Sequence, residues 1–314
     1  MSALGYGTFA ATPPAGRDWE ATLRAWAKPP SDTEDERCEN ATRMIQDALR
    51  ASRVLALRTL EVFVHGSYRN NTNVRLGSDV DVCVRCMDAV YPDYTFAGGA
   101  TNATFGYSDS SYGPAALKSD VEAALRAHFG RLAVHRGNKV LQLHENTYRV
   151  SADVATTFER RRYHRRADGG YWYESGTMLI TDDGQRIENW PHQHYENGTN
   201  KNLRTKKRFR AVVRILKRLR DEIEVRGGDS VPVPSFLIES LVWNAPDACF
   251  GHASYSEDVR LVLAYLMTQL AQDATCHEWG EVNERKYLFR GSQAWTRAQA
   301  STFVITSWCY LGFA

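Results

Sequence analysis

Two aspartates, Asp79 and Asp81, stand one residue apart in the segment DVDVCVR, residues 79–85. Its strict alternation of polar and apolar types predicts a strand with two unlike faces. Residues two apart on a strand share a face, so Val80, Val82 and Val84 turn into a core while both carboxylates project together on the other side. Apolar burial on one face holds the register, so neither carboxylate can rotate away. Like charges that close repel each other unless a cation lies between them. Mg²⁺ suits the position, because it takes oxygen ligands from one or two carboxylates plus substrate phosphates. The plain alternative is a solvated strand face, since Asp is disfavoured in strands without being forbidden. The setting makes the pair more specific: the apolar strand LEVFVH (60–65) ends in Gly66-Ser67, and eleven residues later the valine strand begins.

A third carboxylate follows the same logic. In RVSADVA, Val150, Ala152 and Val154 form one face and Arg149, Ser151 and Asp153 the other. If this strand neighbours the valine strand, Asp153 joins Asp79 and Asp81. Three carboxylates can hold two metal ions, the arrangement used for in-line phosphoryl or nucleotidyl transfer. A buried Asp153 paired with Arg149 is the plain alternative. Positive charge is concentrated in KKRFRAVVRILKRLR (206–220), where eight of fifteen residues are Lys or Arg. Phe209, Val212, Val213, Leu216 and Leu219 make the apolar stripe of a helix, and Arg210, Arg214 and Lys217 fall on another face. Such a face is either solvated or set against a polyanion that needs cations.

The elements that must position these groups are legible in outline. Helical patterns are expected at 18–28, 31–53 and 114–129, the last with Pro114 well placed in its first turn. Residues 88–113, rich in Gly, Ser, Asn and Tyr, read as a loop. Strands are expected at 132–135, 139–144, 148–158, 170–174, 177–181 and 185–188. After Asn189 helical patterns dominate, at 200–224, 234–244, 256–272 and 292–310. The expected architecture is therefore α+β and bilobed: a mixed-sheet lobe over 1–188, braced by the long N-terminal helix, and a helical lobe over 189–314.

Composition narrows the class. The 314 residues carry 39 Lys and Arg against 37 Asp and Glu, and 43% are hydrophobic. These are ordinary globular values, which exclude a disordered or collagenous chain. The near-neutral sum gives no footprint of a general nucleic-acid binder. Six cysteines are too few for a disulfide framework, and the lone CxxC at Cys83 and Cys86 reads as two small buried residues before it reads as half a zinc site. No signal peptide or membrane span is expected, so a cytoplasmic protein is.

Gly-Ser, DxD and a later strand Asp resemble the nucleotidyltransferase fold of the DNA polymerase beta superfamily. The wording is closer to one branch. VFVHGSYRNNTNVRLGSDVDVCV, YRVSADVATTFERRRY, ENWPHQHYENGTNKN, RFRAVVRILKRLRDE and VPSFLIESLVW resemble the bacterial cGAS/DncV-like nucleotidyltransferases (CD-NTases) of CBASS anti-phage systems, clade E-like, over residues 35–310.

The resemblance implies synthesis of a cyclic dinucleotide second messenger from two nucleoside triphosphates, with a non-cyclising nucleotidyltransferase acting on RNA, protein or a small molecule as the alternative. It implies two Mg²⁺ ions, replaceable by Mn²⁺, on Asp79, Asp81 and Asp153, with Asp153 also helping to deprotonate the attacking ribose hydroxyl. Gly66 would let the backbone approach a phosphate and Ser67 would donate to it. Lys217 and Ser235 match family residues that hold the donor triphosphate, and Phe236 one that stacks on a base. Both nucleotides would bind in a cleft between the lobes. Asn189 falls beside the acceptor base. Its paired donor and acceptor suit uracil, with capping of the next helix as the plain alternative, so ATP and UTP are the expected substrates. The run Arg160, Arg161, Arg162, Arg165 and Arg166 is expected to be solvated or nucleotide-facing, with no DNA activator. His192 and His194 are expected at the surface or a hinge. The enzyme is expected as a monomer off the membrane, its product read by a separate effector.

Overall fold

The computed structural model describes residues 12–74, 79–147, 149–226, 233–291 and 293–313. In chain order the first elements are α1 (Trp19–Trp26), α2 (Asp32–Ala51), β1 (Leu60–His65), α3 (Gly66–Arg69), β2 (Val80–Phe96), α4 (Pro114–Phe129), β3 (Val134–Arg136) and β4 (Leu141–Leu143). They continue with β5 (Ala152–Arg165), β6 (Tyr171–Ile180), β7 (Arg186–Asn189), α5 (Pro191–Arg204), α6 (Arg208–Val225), α7 (Ser235–Asn244), α8 (Tyr255–Leu270), α9 (Asp273–Cys276) and α10 (Arg297–Tyr310). The chain forms two compact units. One holds residues 30–70 and 79–192; the other holds 12–29, 71–74 and 193–313.

The first unit is a mixed sheet in the order β1-β2-β5-β4-β3, with β6 on the far part of β5 and β7 on β6. Among the described residues β2 and β5 pair parallel and the other strand pairs are antiparallel. Val80, Val82 and Val84 are fully buried, together with Val154 and Phe158 of β5. Helix α2 covers that face with Ala41, Ile45, Ala48 and Leu49, and α4 with Leu117, Val121 and Leu125. Each starts as its sequence directs: the Ser31 side chain accepts from Glu34 N–H, and Pro114 occupies the first turn of α4, where its missing N–H costs nothing.

Two expectations for this unit need correction. β2 continues to Phe96 through a segment read as loop, because its far half pairs with β5 out to His164 beyond a register shift between Cys86 and Val90. Strand β5 likewise runs on to Arg165, so Arg160, Arg161 and Arg162 lie within a strand rather than after one. They are half-buried and ion-paired, whereas Arg165 and Arg166 are exposed. Arg160 bonds Asp93 and Glu188, Arg162 bonds Asp93, and Arg161 bonds Glu159.

The second unit is helical. Phe209, Val212, Val213, Leu216 and Leu219 of α6 are fully buried, as their stripe predicts, against α7, α8 and α10. The helix expected over 200–224 is broken in two, since Lys206 and Lys207 take left-handed backbone (φ 53° and 66°) and the Thr205 hydroxyl accepts from Phe209 N–H. Residues 12–29, placed by sequence with the sheet, belong here: Leu23 and Ala27 are buried in the helical core. The division at 192/193 falls four residues past the boundary read from sequence, inside the first turn of α5. Among the described residues no helix is long and apolar enough to cross a membrane.

Candidate active site

The sheet register assembles the acidic side of the site. Asp81 and Asp153 are Cα partners across the parallel β2 and β5. Register partners point the same way, so both carboxylates leave the sheet on the face opposite the buried valines. The row extends on both sides, since His65 of β1 is the partner of Asp81 and Gln142 of β4 is the partner of Asp153. Asp79 is the exposed residue just before β2. Burial pushes the Asp153 carboxyl up from its ordinary range, and the Asp79 charge adds to that, while a hydrogen bond from Gln142 opposes it. Burial, aided by Arg69, lowers the His65 imidazole to about 4, which leaves it neutral.

Gly66 shows how tightly the turn after β1 sits on this row. Its φ is +66°, and a Cβ there would fall 2.1 Å from Asp81 Oδ2. Only glycine tolerates both conditions. Ser67 follows in α3 and is half-buried. The donor set is hard carboxylate oxygen, which fits a divalent cation such as Mg²⁺. The three aspartates do not form a closed cage: among the described residues no group of three or more His, Cys, Asp or Glu is arranged to hold a metal by itself. Substrate phosphates would have to complete the coordination.

Asn189 ends β7, and its Cα partner is Thr177 of β6. Thr177 is in turn the partner of Glu159, six residues along β5 from Asp153. The even spacing puts Asn189 on the carboxylate face, about 20 Å along the strand from Asp153. Gly176 makes the approach of β7 feasible, because a Cβ at that position would lie 2.8 Å from Asn189 O and from the Trp190 ring. Helix α5 begins only at Pro191, with Trp190 between.

The basic residues of α6 have partners within the helical unit. Lys217 is 2% exposed, and its Nζ donates to Thr72 O (3.0 Å) and Thr72 Oγ1 (3.1 Å), with Glu239 Oε2 at 3.5 Å. Arg214 donates to the carbonyls of Ala27 and Asn71, and Arg210 to Thr199 Oγ1. This face is therefore neither solvated nor open. Burial pushes the Glu239 carboxyl up, but Lys217 and His194 outweigh it, and with hydrogen bonds from His194 and Thr72 they hold it at about 2. Burial also lowers the Lys217 ammonium, and the Glu239 charge resists that. Of the two histidines expected at the surface or a hinge, His192 is exposed and His194 is buried, with Nε2 3.0 Å from Glu239 Oε1. Ser235 opens α7, and its Oγ accepts from Arg220. Phe236 is half-buried, its ring 5.5 Å from His194 and 5.8 Å from Trp295.

Sequence reasoning missed Gln142, Thr72 and Glu239. For Gln142 a signal existed in the alternation Leu-Gln-Leu. Glu239 lies on a nearly all-apolar helix, a placement that marks a buried paired charge. Cys83 and Cys86 are both buried on β2, and Cys83 Sγ lies 3.2 Å from Thr157 Oγ1.

A family model for the cGAS/DncV-like nucleotidyltransferase C-terminal helical domain matches residues 196–312. Over 295 residues the chain is 42% identical to the cyclic dipyrimidine nucleotide synthase CdnE of Legionella pneumophila, across 94% of this chain and 98% of that one. The structure of Elizabethkingia meningoseptica CdnE cyclic dinucleotide synthase with GTP and Apcpp matches with a TM-score of 0.77 at 34% identity, covering 95% of this chain and 100% of that one. That of Rhodothermus marinus CdnE c-UMP-AMP synthase with Apcpp and Upnpp has a TM-score of 0.80 at 27% identity, over 94% and 97%.

Proposed function

The chain belongs to the clade E cGAS/DncV-like nucleotidyltransferases, and from that premise we propose that it joins two nucleoside triphosphates into a uridine-containing cyclic dinucleotide with release of pyrophosphate. The observation that carries the proposal is the pairing of Asp81 with Asp153 on one face, beside the Gly66 turn. Asp79, Asp81 and Asp153 would hold two Mg²⁺ ions. When bound, these supply Lewis-acid polarisation and offset the charge of the triphosphate.

Chemistry at the protein's own groups then follows. An acceptor ribose hydroxyl attacks the donor α-phosphorus, the bond to the β-phosphate oxygen breaks, and pyrophosphate leaves. Asp153 takes the hydroxyl proton, a role that suits a carboxyl whose proton affinity burial has raised. A second attack of the same kind, by the other ribose hydroxyl, closes the ring. Ser67 would donate its hydroxyl to a phosphate oxygen, and Gly66 leaves room for that phosphate. Lys217 and Ser235 would hold the donor triphosphate, for which Lys217 must give up its bonds to Thr72. Phe236, partly exposed, would offer a ring face to a base.

The relatives named above handle pyrimidine and purine nucleotides alike, so the choice of uridine rests on Asn189. Its carboxamide pairs a donor with an acceptor and matches the O4 and N3–H edge of uracil. The wider role follows the family: a cytoplasmic second messenger in anti-phage defence, read by a separate effector. Incubation with α-³²P-labelled nucleotides and no other acceptor tests the activity. Label that resists phosphatase supports it; label released entirely as inorganic phosphate favours a non-cyclising nucleotidyltransferase.

A further inference from the structure

Gln142 stands at one end of the carboxylate row. Strand β4 has three residues, and Leu141 and Leu143 are buried in the core beneath the sheet while Gln142 is exposed. Alternation along the strand puts Gln142 on the face that carries Asp81 and Asp153. Its Cα partner across β4 and β5 is Asp153, whose partner across β5 and β2 is Asp81. The two flanking leucines fix this register, because a slip of one residue would bring both to the surface. As register partners the two side chains lie side by side, within reach of a hydrogen bond that favours the ionised Asp153 carboxyl. An ionised carboxylate only accepts, so the amide N–H donates.

We propose that Gln142 is a positioning residue for the transfer reaction, whose amide holds one oxygen of Asp153, fixes the rotamer of that carboxylate and leaves the second oxygen to work. A neutral donor is what this position needs. A lysine or arginine would compete with the cations that the row attracts, and an acid would add a fourth negative charge beside Asp153. Gln142 touches neither nucleotide nor the reacting phosphorus in this account, and it acts only through Asp153. The inference therefore rests on the reading of Asp153 as catalytic.

The test compares Gln142→Ala, Gln142→Glu, Gln142→His and Asp153→Asn in the full-length protein. Readouts are kcat and KM for each nucleotide, melting temperature without metal, and the Mg²⁺ concentration for half-maximal binding of a non-hydrolysable ATP analogue. Residues that orient a metal ligand typically account for about ten- to a hundredfold in activity or metal affinity. Gln142→Ala is expected to lower kcat within that range, leaving KM and the metal-free melting temperature unchanged. Gln142→Glu is expected to lower kcat further and to raise the Mg²⁺ requirement for analogue binding. Gln142→His, which keeps an N–H donor, should recover part of kcat. Wild-type kcat in Gln142→Ala alongside an inactive Asp153→Asn overturns the inference and leaves the catalytic reading standing. Loss of melting temperature in step with kcat also overturns it, since that is a structural role. Full activity in Asp153→Asn overturns the catalytic reading itself.

Discussion

Gly66 and Asp81 are in contact across the β1–α3 turn: a single methyl on Gly66 would sit 2.1 Å from the Asp81 carboxylate oxygen. Gly66 also has φ +66°, where an L side chain is strained. Gly66→Ala should therefore cost about 1–3 kcal/mol of stability through backbone strain. Product formation should fall far more than the fraction folded, because Asp81 must move. Chemical denaturation and initial rates on the same preparation separate the two effects.

The carboxylates make a different pattern. Asp79 and Asp153 repel each other, since the Asp79 charge raises the Asp153 carboxyl, and such crowding of like charge costs stability in the metal-free fold. Replacement of Asp79 and Asp81 by Ala should abolish product and leave the metal-free melting temperature unchanged or raised. The stabilisation that Mg²⁺ with nucleotide gives the wild type should vanish. Thermal melts with and without Mg²⁺ check this; a variant that still makes product contradicts the site.

Base choice is assigned to Asn189, about 20 Å along the sheet from Asp153. Asn189→Ser should shift the product from uridine towards purine nucleotides and leave total pyrophosphate release within about tenfold of wild type, a loss of roughly 1.4 kcal/mol or less. An unchanged product distribution would remove Asn189 from the account.

Glu239 predicts a pH dependence of stability. Its carboxyl is held at about 2 in the folded chain, below its ordinary 4.5. The stability it contributes is thus fully present above about 4.5 and is lost as pH falls from there towards 2. At neutral pH Glu239→Gln leaves the Lys217 charge buried without its partner, at a cost of about 3–5 kcal/mol. The gap between wild type and variant in urea denaturation should narrow as the pH is lowered through that window. A gap independent of pH would mean that Glu239 is not ionised in the folded state.

How far the sequence reveals all this depends on how local the signal is. The valine alternation at 80–84, the Ser31 cap and the stripe on α6 are patterns within one element, and the structure matches them. The pairing of Asp81 with Asp153 depends on two strands becoming neighbours, which no local pattern can state. The far half of β2 reads as loop because it opens the segment 88–113, whose Gly, Ser, Asn and Tyr content carries no sustained alternation; its pairing with β5 supplies the order. For Arg214 and Lys217 the sequence leaves a choice between a solvated face and one set against a polyanion, because helical spacing does not show what covers a face. The carbonyls of residues 71 and 72 and of Ala27 cover it here.

The most direct measurement is mass spectrometry of the phosphatase-treated products that the purified protein forms from an equimolar mixture of ATP, GTP, CTP and UTP with Mg²⁺. A product whose mass equals two nucleoside monophosphates less two waters, with uridine as one member, and which is absent from the Asp153→Asn reaction, is the predicted result. Only nucleosides after phosphatase treatment, or the same cyclic product from Asp153→Asn, would contradict the account.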